Sequence, residues 1–523
     1  MKHNFIFFLS LPFITVLLII LAKKIKVAYP ILLIIAGLLI SLIPGVPLIN
    51  VDPELIFLIF LPPLLYEAAW AISWKELWKW RRIITSFAFV VVFFTAFSVA
   101  VTAYYLIPGF TLALGFLLGG IVSPPDAVSA AAVLKTVDAP KRMRSILEGE
   151  SLLNDASSLI IFQFALVAIT TGKFVWYQAA GSFLWMVIGG VAAGWVVGKV
   201  FMWIHNKLPT DPDIDIVITL VTPYVMYLVA EEIHSSGVLA VVTGGLLLSN
   251  NSHRFLSSSS RLKGVNVWQS LVFILNGLVF MIIGLDLPQI ISELGEAKIT
   301  TAIWYGVLIT IVLVAVRIFA SYMALFTTLV MRRFIKVADD RNPGWKTPIV
   351  LGWAGMRGVV SLAAALSIPA LLDDGSVFPQ RNMILFITFV VIFLTLVVQG
   401  LTLPLIIKKA QMPDYDFIKP EEEVDAELFS NMSKDALDYI QHKYGAEMDK
   451  HPALMNIVNK WEKKFEEMER ICCNETTMDI YRDILEYQRN WLLQHNRQNQ
   501  DISEEIIRKH LTRIDLEEER LLY

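Results

Sequence analysis

Leu117-Leu-Gly-Gly-Ile-Val-Ser-Pro-Pro-Asp126-Ala-Val-Ser129 interrupts an apolar stretch with two glycines, two prolines and an acid. Proline removes an amide donor and its ring clashes with the preceding turn, so no regular helix runs through Pro124-Pro125. The surrounding residues, 111–134, are otherwise apolar over roughly the 20 residues that span a bilayer. Irregular backbone at membrane depth survives only when it is buried in protein or lines a wet cavity. A second stretch, Leu351-Gly-Trp-Ala-Gly355-Met-Arg357-Gly358-Val-Val-Ser361, is broken in a similar way by Gly352, Gly355 and Gly358, and it also carries a charge at the break. The fold follows from how these two stretches are related.

The remaining composition supplies the frame. Of 523 residues, 56% are hydrophobic and only 17% charged, which soluble domains of this size do not show. Apolar runs recur at about 5–22, 28–44, 54–73, 83–106, 111–134, 146–171, 177–204, 214–234, 238–250, 265–285, 299–331, 347–372 and 382–407, a reading of thirteen spans. The first run has no small-residue cleavage site and is followed by Lys23, Lys24 and Lys26, so it is expected to stay as a span. The run at 238–250 is short and glycine-rich and is expected inside the bundle. Alternate loops collect 22 basic residues, among them Lys75, Lys79, Arg81, Arg82, Arg332 and Arg333, whereas the opposite set has only Lys2, Lys173, Lys298 and Arg381. The positive-inside rule makes the first set cytoplasmic, with the N-terminus outside and the C-terminus in the cytoplasm.

Composition changes near Gln411. From Pro413 to Tyr523 there are 26 acidic and 15 basic residues. Helical apolar spacing at Trp461, Phe465 and Met468, and at Ile502, Ile506, Leu511 and Ile514, makes 411–523 a small helical cytoplasmic tail after a transmembrane domain at 1–410. An acidic tail is repelled by anionic lipid, so it is not a membrane anchor. Cys472 and Cys473 are the two cysteines; adjacent in sequence, they make no disulfide framework and no metal spacing.

The two breaks lie in spans five and twelve. With span seven as the joint, spans one to six (5–171) and eight to thirteen (214–407) place the breaks equivalently in two halves that cross the bilayer in opposite senses. That is the inverted-repeat pattern of secondary transporters, whose substrate site lies where broken helices meet. Charge agrees with it. Glu67, Asp126, Asp155, Arg317 and Arg357 all fall roughly 10–22 Å from the cytoplasmic ends of their spans, counted at 1.5 Å per residue. Buried charge at this depth costs at least about 2.5–3.5 kcal/mol and marks function.

Within Glu148-Gly-Glu-Ser-Leu-Leu-Asn-Asp155, Ser151 and Asp155 are four apart and share a helix face with Asn154. Glu150 lies about 140° away from Asp155 and needs a basic partner, for which Arg317 is the candidate. Glu148 returns to the Asp155 face nearer the cytoplasm, as an inner entrance. Asp155, Asn154, Ser151, Asp126 and Glu67 form the expected ion site; Glu150 and Arg317 form an expected structural ion pair. Arg357 is expected to balance the carbonyl ends of the broken helices. Carboxylate, amide, hydroxyl and freed carbonyl oxygens suit a hard cation, and a desolvated carboxylate accepts a proton in its place. One carboxylate that binds either, never both, makes an exchanger.

These residues resemble the monovalent cation:proton antiporters of the NhaP and NHE type, in a bacterial member. Phe60-Leu-Pro-Pro-Leu-Leu-Tyr-Glu67 resembles the family's third-span motif, Asn154-Asp155 its ion-site motif, Gly355-Met-Arg-Gly-Val-Val-Ser its second crossover, and Val397-Val-Gln-Gly-Leu-Thr-Leu-Pro its last span. The resemblance implies a homodimer working by alternating access, and one-for-one electroneutral exchange, because Asn154 rather than a second aspartate precedes Asp155. It also implies a core-stabilising role for Glu150 and Arg317. Pro125-Asp126-Ala127 departs from the family's Thr-Asp-Pro; Ser123 or a backbone carbonyl is a candidate replacement for the lost threonine oxygen. Na⁺ or Li⁺ exchange for H⁺ leads, serving pH and sodium homeostasis at the plasma membrane. K⁺/H⁺ exchange is the alternative and a gated cation channel a more distant one. No HExxH or GxSxG motif is present to suggest an enzyme, and no cofactor or nucleic-acid partner is expected.

Overall fold

A computed structural model describes residues 2–25, 28–43, 53–134, 137, 139–172, 176–292, 294, 299–332, 334, 344–372 and 375–411, with scattered positions in the tail (434–435, 438–439, 442, 485–488, 490, 513–514 and 516–517). The chain divides into Met1–Asp416 and Phe417–Tyr523. In the second unit Leu485 and Ile514 are buried; Trp461, Phe465, Met468, Cys472, Cys473, Ile502, Ile506 and Leu511 lie outside the described residues.

Among the described residues of the first unit the regular elements are all helices, with one isolated bridge between Leu371 and Val377. In order the helices are α1 (Lys2–Ile25), α2 (Tyr29–Ser41), α3 (Pro53–Ala71), α4 (Trp74–Thr85), a π segment (Ser86–Val91), α5 (Val92–Leu106), α6 (Leu112–Val122), α7 (Ala127–Leu134), α8 (Lys141–Thr171), α9 (Trp176–Lys207), α10 (Pro212–Glu232), α11 (Gly237–Phe255), α12 (Ser258–Ser292), α13 (Ile299–Met331), α14 (Thr347–Trp353), α15 (Val359–Leu366), α16 (Arg381–Leu394), a second π segment (Thr395–Gln399) and α17 (Gly400–Ala410). Among the described residues each apolar run read from the sequence carries helix, with non-helical backbone at 123–126 and 354–358 inside two of them. Among the described residues seven helices are long and apolar enough to cross a membrane: Trp74–Leu106, Arg142–Thr171, Ala180–Lys207, Pro212–Glu232, Ser258–Ser292, Ile299–Met331 and Arg381–Ala410. The protein is a multi-pass membrane protein.

Local chemistry sets the helix ends. The Asp211 carboxylate accepts from the amides of Asp213 and Ile214 at 3.1 and 2.8 Å, with Pro212 in the first turn of α10; this satisfies donors that a helix start leaves open. Thr111 and Ser236 cap α6 and α11 in the same way.

Packing is close where small residues allow it. A Cβ on Gly194 of α9 would overlap the Ala240 carbonyl of α11, so these helices pack backbone to backbone. Accordingly α11 is buried along most of its length, inside the bundle as its glycine content suggests. The two interruptions are separate in sequence but meet in space, because α6 packs on α15 and α7 on α17.

Candidate functional site

The first interruption occupies residues 123–126 and the second 354–358. Gly352, read from sequence as part of the second break, instead lies inside α14, where a Cβ would strike the Ile318 backbone. The two breaks are hydrogen-bonded to each other: the Asp126 amide donates to the Met356 carbonyl at 2.7 Å.

Opposite charges meet opposite helix ends at this crossing. Arg357 is fully buried. Its Nε donates to the Val122 carbonyl at 2.9 Å and its Nη2 to the Ser123 carbonyl at 3.4 Å; Nη1 donates to the Gly355 carbonyl. These carbonyls belong to the C-terminal ends of α6 and α14, the negative poles of two half-helices. Asp126 immediately precedes α7, whose positive pole it faces, and its Oδ2 accepts from Ser129 Oγ at 2.5 Å. That carboxylate presses so closely on Gly358, at the start of α15, that any Cβ there would overlap it.

The long α8 passes beside the crossing. Asn154 is fully buried and its Nδ2 donates to the Pro125 carbonyl at 3.1 Å, which supplies a donor where proline breaks the helix. Its Oδ1 and the neighbouring break's Ser123 Oγ are buried and have no hydrogen-bond partner among the described residues. Orphan oxygens of this kind are rare in folded proteins, and carbonyl and hydroxyl oxygens are what a hard cation takes. Asp155 follows, 6% exposed and near enough to Asp126 for the two charges to interact. Among the described residues none is hydrogen-bonded to its carboxylate. Ser151, one turn earlier, is buried as well.

Glu150 turns away from this group and meets Arg317 of α13 in a two-pronged pair, both contacts 2.8 Å. Glu148 is exposed. Glu67 lies on the wall of a cavity of about 550 Å³ between α3, α10, α11 and α12, which it shares with Asp215, Ser260 and Trp268. The sequence reading missed several neighbours. Tyr29 is near enough to Asp126 to feel its charge. Asp215 is buried, accepts from Ser260 Oγ at 2.7 Å and pairs with His205 Nδ1 at 2.8 Å. The signal for that pair is an acid in the first turn of α10 and a histidine in the last turn of α9.

Residues 12–409 match the family model described as sodium/hydrogen exchanger, transmembrane. The chain belongs to the sodium/hydrogen exchanger family. Over 382 residues it is 35% identical to the sodium, potassium, lithium and rubidium/H⁺ antiporter of Bacillus pumilus; the match covers 71% of this chain, which spans 56% of that protein's length. It is 31% identical over 523 residues to an uncharacterized Na⁺/H⁺ exchanger of Mycobacterium tuberculosis, covering 96% of this chain and 93% of the relative. The fold matches the sodium proton antiporter MjNhaP1 of Methanocaldococcus jannaschii with a TM-score of 0.62 at 17% identity, over 78% of this chain and 99% of that one.

Proposed function

We propose that the protein exchanges Na⁺ or Li⁺ for H⁺, one for one, by alternating access in the bacterial plasma membrane, for pH and sodium homeostasis. It works as a homodimer of thirteen-span protomers, N-terminus outside and acidic tail in the cytoplasm. One observation carries the reading: Asp155 is buried beside two interrupted helices, and no described side chain is hydrogen-bonded to its carboxylate. A buried carboxylate requires a counter-charge, and a mobile cation or proton supplies it.

Asn154 Oδ1 and Ser123 Oγ add neutral oxygens, and Ser151 and Asp126 complete the neighbourhood; Glu67 acts from the cavity between α3, α10, α11 and α12 and Glu148 from the inner mouth. A proton and a cation compete for one carboxylate, so each outward passage of one requires inward passage of the other. Both carry a single charge, so the cycle moves no net charge. Membrane potential, worth about 2.3 kcal/mol per charge per 100 mV, then has no purchase on it. The Bacillus pumilus relative's name includes potassium, which supports keeping K⁺ among the cations tried.

The experiment uses proteoliposomes with an imposed pH gradient and an internal pH dye. Na⁺, Li⁺ and K⁺ are added in turn. Na⁺ and Li⁺ dissipate the gradient, Asp155→Asn abolishes the response to every cation, and clamping the voltage leaves the rate unchanged. Exchange that survives in Asp155→Asn refutes the site; conductance in planar bilayers favours a channel.

A further inference from the structure

A groove of about 690 Å³ between the α4–π–α5 run and α13 plays no part in the ion site. Its mouth carries Lys79, Arg81 and Arg82, all exposed, and its depth is lined by Val90, Phe94, Phe319 and Met323. Arg82 to Phe94 and Met331 to Phe319 are each twelve residues, about 18 Å of helix. Half of a hydrocarbon core is about 15 Å. Both walls therefore reach one leaflet deep, with their polar ends at the same level.

The sequence explains the groove's shape. The π segment Ser86–Val91 widens the helix where the groove lies; its Phe87 and Val91 pack on Ala320 of α13, and Val91 and Ala320 make the floor. Ser157 Oγ of α8 donates to the Ala88 carbonyl at 2.5 Å and fixes this segment from behind. At the mouth, Trp74 and Trp78 stack with centroids 6.0 Å apart and are exposed, as aromatic side chains at a membrane–water boundary are. Arg81 lies over the Trp78 ring at 4.5 Å and Lys79 over Trp80 at 4.9 Å, so the cations are held along the helix surface. Glu76, the acid of α4, accepts from the Trp80 indole at 3.0 Å.

We propose that this groove binds an anionic phospholipid from the leaflet that the basic loops face. The headgroup phosphate sits among Lys79, Arg81 and Arg82, and an acyl chain runs inward between Phe94 and Phe319. Basic pockets between transmembrane helices on the cytoplasmic side are where such headgroups bind. A free anion has no use for an apolar floor one leaflet deep. A second copy across a two-fold axis brings its own three cations to the same level, and like charges repel.

The test is native mass spectrometry of the full-length protein in detergent, titrated with dioleoylphosphatidylglycerol or dioleoylphosphatidylcholine. Phosphatidylglycerol gives one adduct that outlasts phosphatidylcholine under collisional activation. Each surface cation is worth about fivefold, so Lys79→Gln/Arg81→Gln/Arg82→Gln weakens binding roughly a hundredfold. Lys24→Gln/Lys408→Gln/Lys409→Gln, equal in charge and remote from the groove, leaves it intact. Ala324→Trp fills the groove without changing charge and removes the adduct; Thr327→Phe does the same at an exposed wall position should the first variant fold poorly. The proposal is overturned by equal binding of both lipids or of neither, or by equal loss in the remote triple variant. It is also overturned if chain-free glycerophosphoglycerol displaces the lipid at the lipid's own concentration, or if filling the groove splits a dimer and leaves the lipid adduct in place.

Discussion

Arg317→Met separates two groups that have no other good partner arrangement. Arg317 is 1% exposed and Glu150 0%, and both guanidinium–carboxylate contacts are 2.8 Å. Removing one member of such a pair strands a buried charge and costs about 3–5 kcal/mol. Arg357 is close enough to interact with both, but it reaches Glu150 only by releasing the Val122 and Gly355 carbonyls that it now satisfies, which merely moves the loss. An unfolding entropy of about 2.1 cal/mol/K per residue over the Met1–Asp416 unit converts the penalty into a fall in Tm of at least about 3–6 °C. Partial unfolding in detergent has less entropy and gives a larger fall. The assay is thermal unfolding of the purified protein, followed by light scattering and tryptophan fluorescence, for Arg317→Met, Glu150→Leu and the double variant. Replacing both charges by apolar groups of similar volume is often neutral, so the double variant recovers most of the lost stability. A double variant whose loss equals the sum of the singles refutes the reasoning, because the two charges then do not depend on each other.

Gly358→Ala forces a methyl into the Asp126 carboxylate; overpacking of this kind costs about 1–3 kcal/mol, and transport falls more than expression, read as initial rates per reconstituted protein. Ser123→Ala removes a buried oxygen that has no hydrogen-bond partner among the described residues, so it raises the apparent KM for Na⁺ several-fold with little change in Tm, whereas Ser123→Thr keeps Na⁺ affinity; unchanged KM in both excludes Ser123 from the cation site. Asn154→Asp deletes the donor to the Pro125 carbonyl, which costs about 1–3 kcal/mol and lowers Tm, while Asn154→Gln, which keeps a donor, loses less.

Several of these contacts were legible in the chain because they depend on local spacing. The Pro124-Pro125 pair marks the first break, although Gly119 and Gly120 beside it remain inside α6 and a second pair, Pro62-Pro63, lies within α3. Helical phase alone separates Glu150 from Asp155 and turns it toward another helix. The buried setting of α11 follows from an apolar run that has glycines and few charges. What was not legible depends on distance along the chain. Nothing local to Arg357 says that its guanidinium reaches Val122, 235 residues away. The π segments at Ser86–Val91 and Thr395–Gln399 contain neither proline nor, within their bounds, glycine; only packing against α8 and α13 reveals the first. His205 and Asp215 pair because the turn at 208–211 folds α10 back on α9, a closure that apolar periodicity does not encode.

The charge arrangement at the crossing distinguishes its three carboxylates. Two half-helix C-termini contribute about half a negative charge each, and Arg357 lies on their carbonyls. Two half-helix N-termini contribute about half a positive charge each, and Asp126 lies between them, next to Gly358 and bonded to Ser129. Glu150 has Arg317. Each of these charges is met by something covalently fixed in the fold, so none can be exchanged without undoing structure. Asp155 differs: it is as deeply placed, its neighbour Asp126 repels it, and Asn154, next to it in the chain, spends its amide on Pro125. Neutralising Asp155 therefore falls to something that arrives from outside the fold. The same reasoning predicts that Asp155→Asn, inert in transport, is more heat-stable than the native protein by a degree or more, since it removes a buried charge that no fixed partner offsets. A variant that melts lower instead would mean that a protein group already balances Asp155, and the competition between proton and cation would have no site at which to occur.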